Sequence, residues 1–204
     1  LGNTAVTGGA ITFGAATSVG ANTLTVTAST STTATASALT AASLVLQGAG
    51  AHTFTNAANN ITTLAAGTVA QPVGGLSYFD TDALSVGTVG SVVGIRANGA
   101  VQVASGGILT LAAGVSAATA DAAVVFKSAA DILQNASLTM QTNGGDLVYW
   151  SNTGAATTGN RGILISDSST LDTRTAADRL ATTHTTGGGM IVLGGGSATA
   201  TSAK

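Results

Sequence analysis

The chain has 204 residues, enough to bury one continuous core, but only 7% of them are charged, against about a quarter in an ordinary soluble domain. The formal net charge of -2 leaves no basic footprint for nucleic acid or an anionic membrane, and the absence of cysteine excludes disulfides and thiolate sites. Every stretch of about 18 uncharged residues contains Gly, Thr or Ser clusters, so the sequence predicts no membrane-spanning helix.

Short alternations of apolar and polar residues recur along the whole chain. They predict short strands, since successive side chains of a strand point to opposite faces. Glycine and asparagine pairs between them suit tight corners that need positive φ angles. The predicted strands are Ala10–Phe13, Leu24–Thr27, Leu44–Leu46, His52–Thr55, Leu84–Val86, Val101–Val103, Ile108–Leu111 and Met190–Leu193. A short helix or ordered loop is predicted at Thr175–Leu180, where Arg174 and Asp178 have the spacing of a helical ion pair.

Two long-range repeats indicate how the predicted strands are arranged. Leucines 24, 44, 64 and 84 recur every twenty residues, the kind of spacing expected when one turn of a solenoid stacks on the next. The pair Tyr78-Phe79 is echoed by Tyr149-Trp150 after an interval that suits about three turns. With about 20 to 25 residues per turn and about 4.8 Å between turns, eight to ten turns would form a rod of roughly 40 to 50 Å. Residues 1–204 are therefore predicted to form a single elongated all-β domain.

Three consecutive runs of the chain resemble the repeats of large filamentous-haemagglutinin-like bacterial exoproteins. The runs are Asn60–Ala66, Gly75–Val89 and Gly94–Val103, so the resemblance is strongest across residues 60–111. A looser similarity to the same proteins covers residues 171–189. The resemblance implies a right-handed parallel β-helix, or β-solenoid, in a secreted, often cell-surface, fibrous adhesin.

The function expected from this resemblance is that of a structural or adhesive segment of a secreted, cell-surface bacterial fibre. The expected partner is the chain itself, by axial homo-association or through neighbouring repeats of a longer chain. An uncapped terminal turn exposes unpaired backbone groups, and residues 1–79 contain no charged side chain that would discourage stacking. Surface glycans and receptor proteins are further candidate partners, whereas nucleic acid is not.

Two alternatives remain open from the sequence. A carbohydrate-active β-helix of the lyase or hydrolase kind would show a groove with clustered Asp, Arg and Lys on one parallel sheet. A β-sandwich subunit could instead polymerise by donating its Gly/Thr-rich N-terminal strand to a neighbour.

The sequence offers no catalytic, metal-binding or cofactor-binding residue, and predicts that the protein is not an enzyme. No Gly-x-Ser-x-Gly motif occurs, and the run Gly48–Thr53 lacks the third glycine of a dinucleotide-binding loop. The acidic pairs Asp80/Asp82 and Asp167/Asp172 do not belong to a repeated calcium-binding unit. The two histidines, His52 and His184, are predicted to lie at the surface or at the edges of turns.

Candidate contact residues are the two aromatic pairs and two asparagines. Adjacent strand residues point to opposite faces, so one member of each pair, Tyr78/Phe79 and Tyr149/Trp150, should lie outside. Exposed rings would offer platforms for sugars or a partner protein, and the alternative is that they shield an edge or a junction between turns. Asn60 and Asn135 each begin an Asn-x-Ser/Thr pattern and are candidate glycosylation acceptors.

Overall fold

A computed structural model describes residues 3–154, 162–181 and 187–196. These residues form a parallel β-solenoid with almost no helix. The only helix among them is α1 (Ala176–Leu180), and it is too short to span a membrane. The strands are β1 (Thr4–Thr12), β2 (Thr17–Thr33), β3 (Leu39–Gln47), β4 (Ala51–Phe54), β5 (Asn60–Ala66), β6 (Gly75–Asp80), β7 (Leu84–Val86), β8 (Thr88–Val89), β9 (Val92–Val93), β10 (Ile95–Ala97), β11 (Val101–Ser105), β12 (Leu109–Leu111), β13 (Val115–Ala120), β14 (Val124–Ser128), β15 (Ile132–Gln134), β16 (Thr139–Asn143), β17 (Leu147–Ser151), β18 (Ile163–Ile165), β19 (Thr170–Asp172) and β20 (Ile191–Gly195).

Three parallel ladders of hydrogen-bonded strands hold the turns together. The first ladder runs the length of the stack, from the second half of β1 through the end of β2 to β4, β6, β11, β14, β17 and β20. The second ladder is β7–β12–β15–β18, and the third is β10–β13–β16–β19. Nearer the N-terminus, the longer strands β2, β3 and β5 pair along one face and lead into both of these ladders. The small hairpin β8–β9 is antiparallel.

The core is thin, and it is filled by one stacked column of side chains after another. Leu24, Leu44 and Leu64 pair in register, which confirms the twenty-residue period for these three leucines. Leu84 departs from it, because Leu64 pairs with Val86 while Leu84 pairs with Leu109. The long corner loop 67–74 lies between these turns and lengthens the repeat.

The aromatic echo reflects a second inward column. Tyr78 pairs with Val103, Val103 with Phe126 and Phe126 with Tyr149, so three turns separate the two tyrosines, as predicted. The ring centroids of Phe126 and Tyr149 lie 5.1 Å apart in an edge-to-face arrangement, which is favourable for aromatic rings. The largest wholly buried side chains of the described residues belong to this column or to its continuation at Phe54.

The size of the rod differs from the prediction. The first ladder stacks eight described strands, one from each successive turn, and at about 4.8 Å between neighbours the stack is roughly 35 Å long, shorter than the 40 to 50 Å expected. The reason is that later turns are longer: paired residues are 20 apart at Leu24 and Leu44, but Ile132 pairs with Ile163 and Leu147 with Ile191. The right-handed winding remains a prediction.

The N-terminal third belongs to the same solenoid. Strands β1 to β4 pair in parallel, each with the strand one turn further along. The alternative of a β-sandwich subunit with a donated N-terminal strand is therefore wrong. All eight strands predicted from alternation overlap observed strands.

The predicted short helix is also present. Thr175 caps α1, since its Oγ1 accepts a hydrogen bond from the Asp178 backbone N–H at 3.1 Å. Arg174 does not pair across the helix turn with Asp178 as expected. It forms a two-point ion pair with Asp172 instead, with distances of 3.0 Å from Nε to Oδ1 and 2.9 Å from Nη2 to Oδ2.

Candidate functional site

The two predicted aromatic pairs lie on the first ladder. Tyr78 and Tyr149 are 1% and 0% exposed and belong to the core, so neither is available as a surface contact. Phe79 and Trp150 are half-buried on the outer face. In each pair, therefore, the tyrosine faces the core and its neighbour lies on the outer face. Three turns, about 14 Å, separate Phe79 from Trp150, so the two rings do not form one platform.

Trp150 covers the outer face of the last described turn. A Cβ atom on Gly194 would lie 2.7 Å from the indole ring, so the ring lies closely over this glycine. The indole N–H donates a hydrogen bond to the Gly196 carbonyl at 3.3 Å. These contacts favour the interpretation of Trp150 as a shield over a junction between turns.

The hydroxyls of both buried tyrosines have partners in the core. Tyr78 donates to Asp80 Oδ2 at 2.7 Å, and Tyr149 donates to Gln134 Oε1 at 2.5 Å. Burial raises the pKa of both tyrosines. Asp80 is itself fully buried, and burial raises the pKa of its carboxyl to about 6. Hydrogen bonds from Tyr78 and from the backbone N–H groups of Ile61 and Asp82 oppose that rise.

Asp80 begins a polar column at one corner of the solenoid, which continues in register with Ser105 and Ser128. Ser105 Oγ donates to the Asp82 carbonyl at 2.5 Å and accepts from the Gly107 N–H at 3.1 Å. Ser128 Oγ donates to the Gly107 carbonyl at 2.7 Å and accepts from the Ala130 N–H. Each hydroxyl therefore ties its own corner to the preceding one, which is a structural role.

Asn59 performs a similar role one corner earlier. Its side chain is fully buried; the amide donates to the Phe54 and Phe79 carbonyls, both at 3.1 Å, and its oxygen accepts from the Leu39 N–H at 2.9 Å. This single side chain joins three successive turns. The sequence analysis missed it, although an Asn at a corner between two strands was a usable signal.

His52 lies in the core, so the prediction of a surface histidine is wrong. It is 1% exposed and stands in an inward column between Thr32 and Leu76. Neither ring nitrogen makes a hydrogen bond of normal geometry, and Thr32 Oγ1 also lacks a partner. Burial lowers the pKa of His52 to about 4, which keeps the ring neutral near pH 7. His184 lies outside the described residues.

The two candidate glycosylation acceptors are both exposed. The Asn60 amide nitrogen, the atom that would carry a glycan, donates to Asp82 Oδ2 at 3.2 Å. Asn135 follows β15, and its backbone carbonyl accepts from Ser169 Oγ at 3.2 Å. Their modification remains a prediction.

A groove of about 330 Å³ lies on the outer face of the third ladder. Its floor carries Arg96, Ser116 and Gln141, one residue from each of three successive turns and in register. The corner loop contributes Val69 and Pro72 to its wall. This groove, named here the Arg96 groove, has no acidic residue among those that line it.

The C-terminal end of the same face carries two arginines that have partners. With its amide oxygen turned towards the helix, Gln141 accepts from Arg179 Nε at 2.7 Å. Arg179 also donates to the Thr142 carbonyl at 2.9 Å. Arg174 binds Asp172, and this hydrogen bond lowers the pKa of the Asp172 carboxyl.

The Arg96 groove differs from the groove expected of a carbohydrate lyase. A single basic residue lines it, and none of its lining residues is a carboxylate that could act with that base. Within the described ranges, no group of three or more His, Asp, Glu or Cys side chains has the geometry to hold a metal ion.

The inward columns are open at both ends of the described stack. Ile191 and Leu193 stand above Leu147 and Tyr149 in register, and they are 45% and 52% exposed. At the opposite end, Val6, Ile11 and Phe13 of the first turn are only partly buried. Among the described strands, β1 pairs only with β2 and β20 only with β17. Both ends therefore present apolar side chains and unpaired strand edges.

Comparison of the chain with protein-family models, curated proteins and solved structures gave no match. The surfaces of the described residues best suited to a partner are the open ends of the stack and the Arg96 groove.

Proposed function

We propose that this chain is a structural segment of a secreted, cell-surface bacterial fibre, in which the solenoid continues end to end into a neighbouring copy or into adjacent repeats of a longer chain. The observation that carries the proposal is that both ends of the described stack are open and apolar. The resemblance of residues 60–111 to filamentous-haemagglutinin-like repeats supports the extracellular and adhesive part of the proposal.

The first ladder offers a geometry for such stacking. It begins at β1 and ends at β20, so β20 of one copy would meet β1 of the next in the same parallel ladder. Ile11 and Ile191 belong to one inward column, the column that also contains His52. Stacking would therefore place Ile191 of one copy against Ile11 of the next and continue the core without a change of register.

The free energy of the end-to-end contact determines how strongly free copies are expected to associate. Covering the five partly exposed apolar side chains of the two ends contributes about 1 kcal/mol each, or about 5 kcal/mol together. Association costs at least about 4 kcal/mol in lost translational and rotational freedom. New ladder hydrogen bonds must supply the remaining stability, so free copies are expected to associate in a concentration-dependent way. Repeats in one longer chain would avoid most of the association cost.

Sedimentation velocity across a range of protein concentrations tests the proposal, together with electron microscopy. We expect species that grow with concentration, and filaments with an axial repeat of roughly 40 Å and a spacing of about 4.8 Å along the axis. The variant Leu193→Asp places a charge on the open end and should abolish growth.

The matched control is Val69→Asp, because Val69 is an exposed apolar residue on the side of the rod, 87% exposed. It should associate like the unaltered protein. Monodisperse monomer at every concentration, or equal loss of association in both variants, would refute stacking through the ends.

A further inference from the structure

Arg96 is a charged side chain in a groove, and its guanidinium has no partner among the residues that the structure describes. Among the described residues, no carboxylate or carbonyl forms an ion pair or hydrogen bond with its guanidinium. Arg174 and Arg179, on the same face, both have such partners. A guanidinium presents a planar fork of N–H donors that matches the two oxygens of a carboxylate. The structure therefore holds an unused anion-binding group at a defined place.

The guanidinium lies beside Gly114 of the next turn. A Cβ atom built on Gly114 would lie at ordinary contact distances of 3.7 Å from Arg96 Nη1 and 3.8 Å from Nη2, so the fork lies close to the backbone of that turn. A half-buried side chain held in this way has less conformational freedom to lose when a ligand binds.

The other lining residues suit a sugar. Ser116 and Gln141 follow Arg96 at intervals of one turn, about 4.8 Å, which is close to the length of one pyranose unit. The Ser116 hydroxyl can exchange hydrogen bonds with sugar hydroxyls, and the Gln141 amide nitrogen can donate to them while its oxygen stays bound to Arg179. Val69 and Pro72 supply an apolar wall for the C–H face of a sugar ring. The volume of about 330 Å³ lies at the lower end of the range for small-ligand sites.

We propose that the Arg96 groove binds an acidic glycan through the carboxylate of one uronic-acid unit. Arg96 pairs with that carboxylate, Ser116 and Gln141 bind hydroxyls of the neighbouring unit, and the corner loop packs on a ring. The site lies on the side of the rod and is independent of the stacking of its ends.

Isothermal titration calorimetry with trigalacturonate tests this assignment, with its methyl ester as the neutral comparison. The unaltered protein should bind trigalacturonate, and the ester should bind at least tenfold more weakly. Arg96→Gln should weaken binding of trigalacturonate about tenfold or more. Because Arg96 lies on the outer face, this variant should keep the far-ultraviolet circular dichroism spectrum and the melting temperature of the parent.

The matched control is Lys127→Gln, which removes one positive charge from an exposed position on the first ladder. It should bind trigalacturonate as the unaltered protein does. Equal losses in the two variants, equal binding of acid and ester, or no binding by the unaltered protein would each overturn the proposal. The variant Leu193→Asp should bind trigalacturonate normally, which separates failure of the groove from failure of end-to-end stacking.

Discussion

Replacing His52 by leucine should make the stability of the fold depend on pH, with greater stability at low pH. Burial lowers the pKa of His52 from 6.5 to about 4, so the unfolded chain binds more protons than the folded chain between these values. Stability due to the neutral ring is complete above pH 6.5 and is lost as the pH falls to about 4. At about 1.36 kcal/mol for each pH unit, the loss amounts to about 3 kcal/mol.

Asp80 has the opposite effect over nearly the same pH range. Burial raises the pKa of Asp80 from 3.8 to about 6, so the folded chain prefers the protonated carboxyl. The stability that the protonated Asp80 contributes is complete below pH 3.8 and is lost as the pH rises to about 6. This loss again amounts to about 3 kcal/mol. In the unaltered protein, the two slopes largely cancel, and the stability contributed by this pair should vary little between pH 4 and pH 7.

The variants His52→Leu and Asp80→Asn separate the two opposing pH dependences of stability. His52→Leu should gain about 3 kcal/mol on acidification from pH 7 to pH 4, whereas Asp80→Asn should lose about as much. At pH 7, His52→Leu should also be more stable than the parent by about 1 to 3 kcal/mol, because two buried ring nitrogens that make no hydrogen bond of normal geometry leave the core.

Urea denaturation followed by circular dichroism at pH 7, 5.5 and 4 measures these differences. Leucine suits the column, since Leu76 occupies it one turn later. Identical pH slopes in the parent and in His52→Leu would refute the assignment of a buried, neutral histidine.

Two further substitutions test the corners. Asn59→Ala should destabilise the fold by about 3 kcal/mol in urea denaturation, because three backbone groups of successive turns lose their partner, while the exposed Asn60→Ala should change stability by less than about 0.5 kcal/mol. Gly48→Ala should lower the free energy of unfolding by more than about 3 kcal/mol. Gly48 has a φ of +85°, and a Cβ atom added there would lie 2.2 Å from the Ala28 carbonyl oxygen. Gly14→Ala, with no atom within 4 Å of the added Cβ, should melt within a few degrees of the parent, and similar losses at both glycines would contradict the role assigned to Gly48.

The fold could be predicted because its strands carry local signals. The alternation of apolar and polar residues located the strands, and the twenty-residue leucine period located the first turns. Both signals are local because a solenoid repeats its contacts at a short distance along the chain. The period failed at Leu84, where the corner loop 67–74 changes the length of the turn. The burial of His52 was also predictable, because Phe54 stands two residues later on the same strand face.

The surfaces that carry the functional proposals were harder to predict. Arg96, Ser116 and Gln141 meet only because unequal turns place them in register, and no fixed period in the sequence links the three. The open ends depend on which strands come first and last in the stack. Sequence alternation shows that Ile191 faces inward, but not that the described turns leave it uncovered.

The direction of the ladder hydrogen bonds has a mechanical consequence. They lie along the rod axis, so tension on a fibre built from such rods would load successive turns in series, and the weakest turn would yield first. A turn of 20 residues, the distance between Leu24 and its partner Leu44, would release about 70 Å of chain on peeling away. Such a rod would lengthen stepwise when pulled, and each released turn would absorb work before its neighbour is loaded.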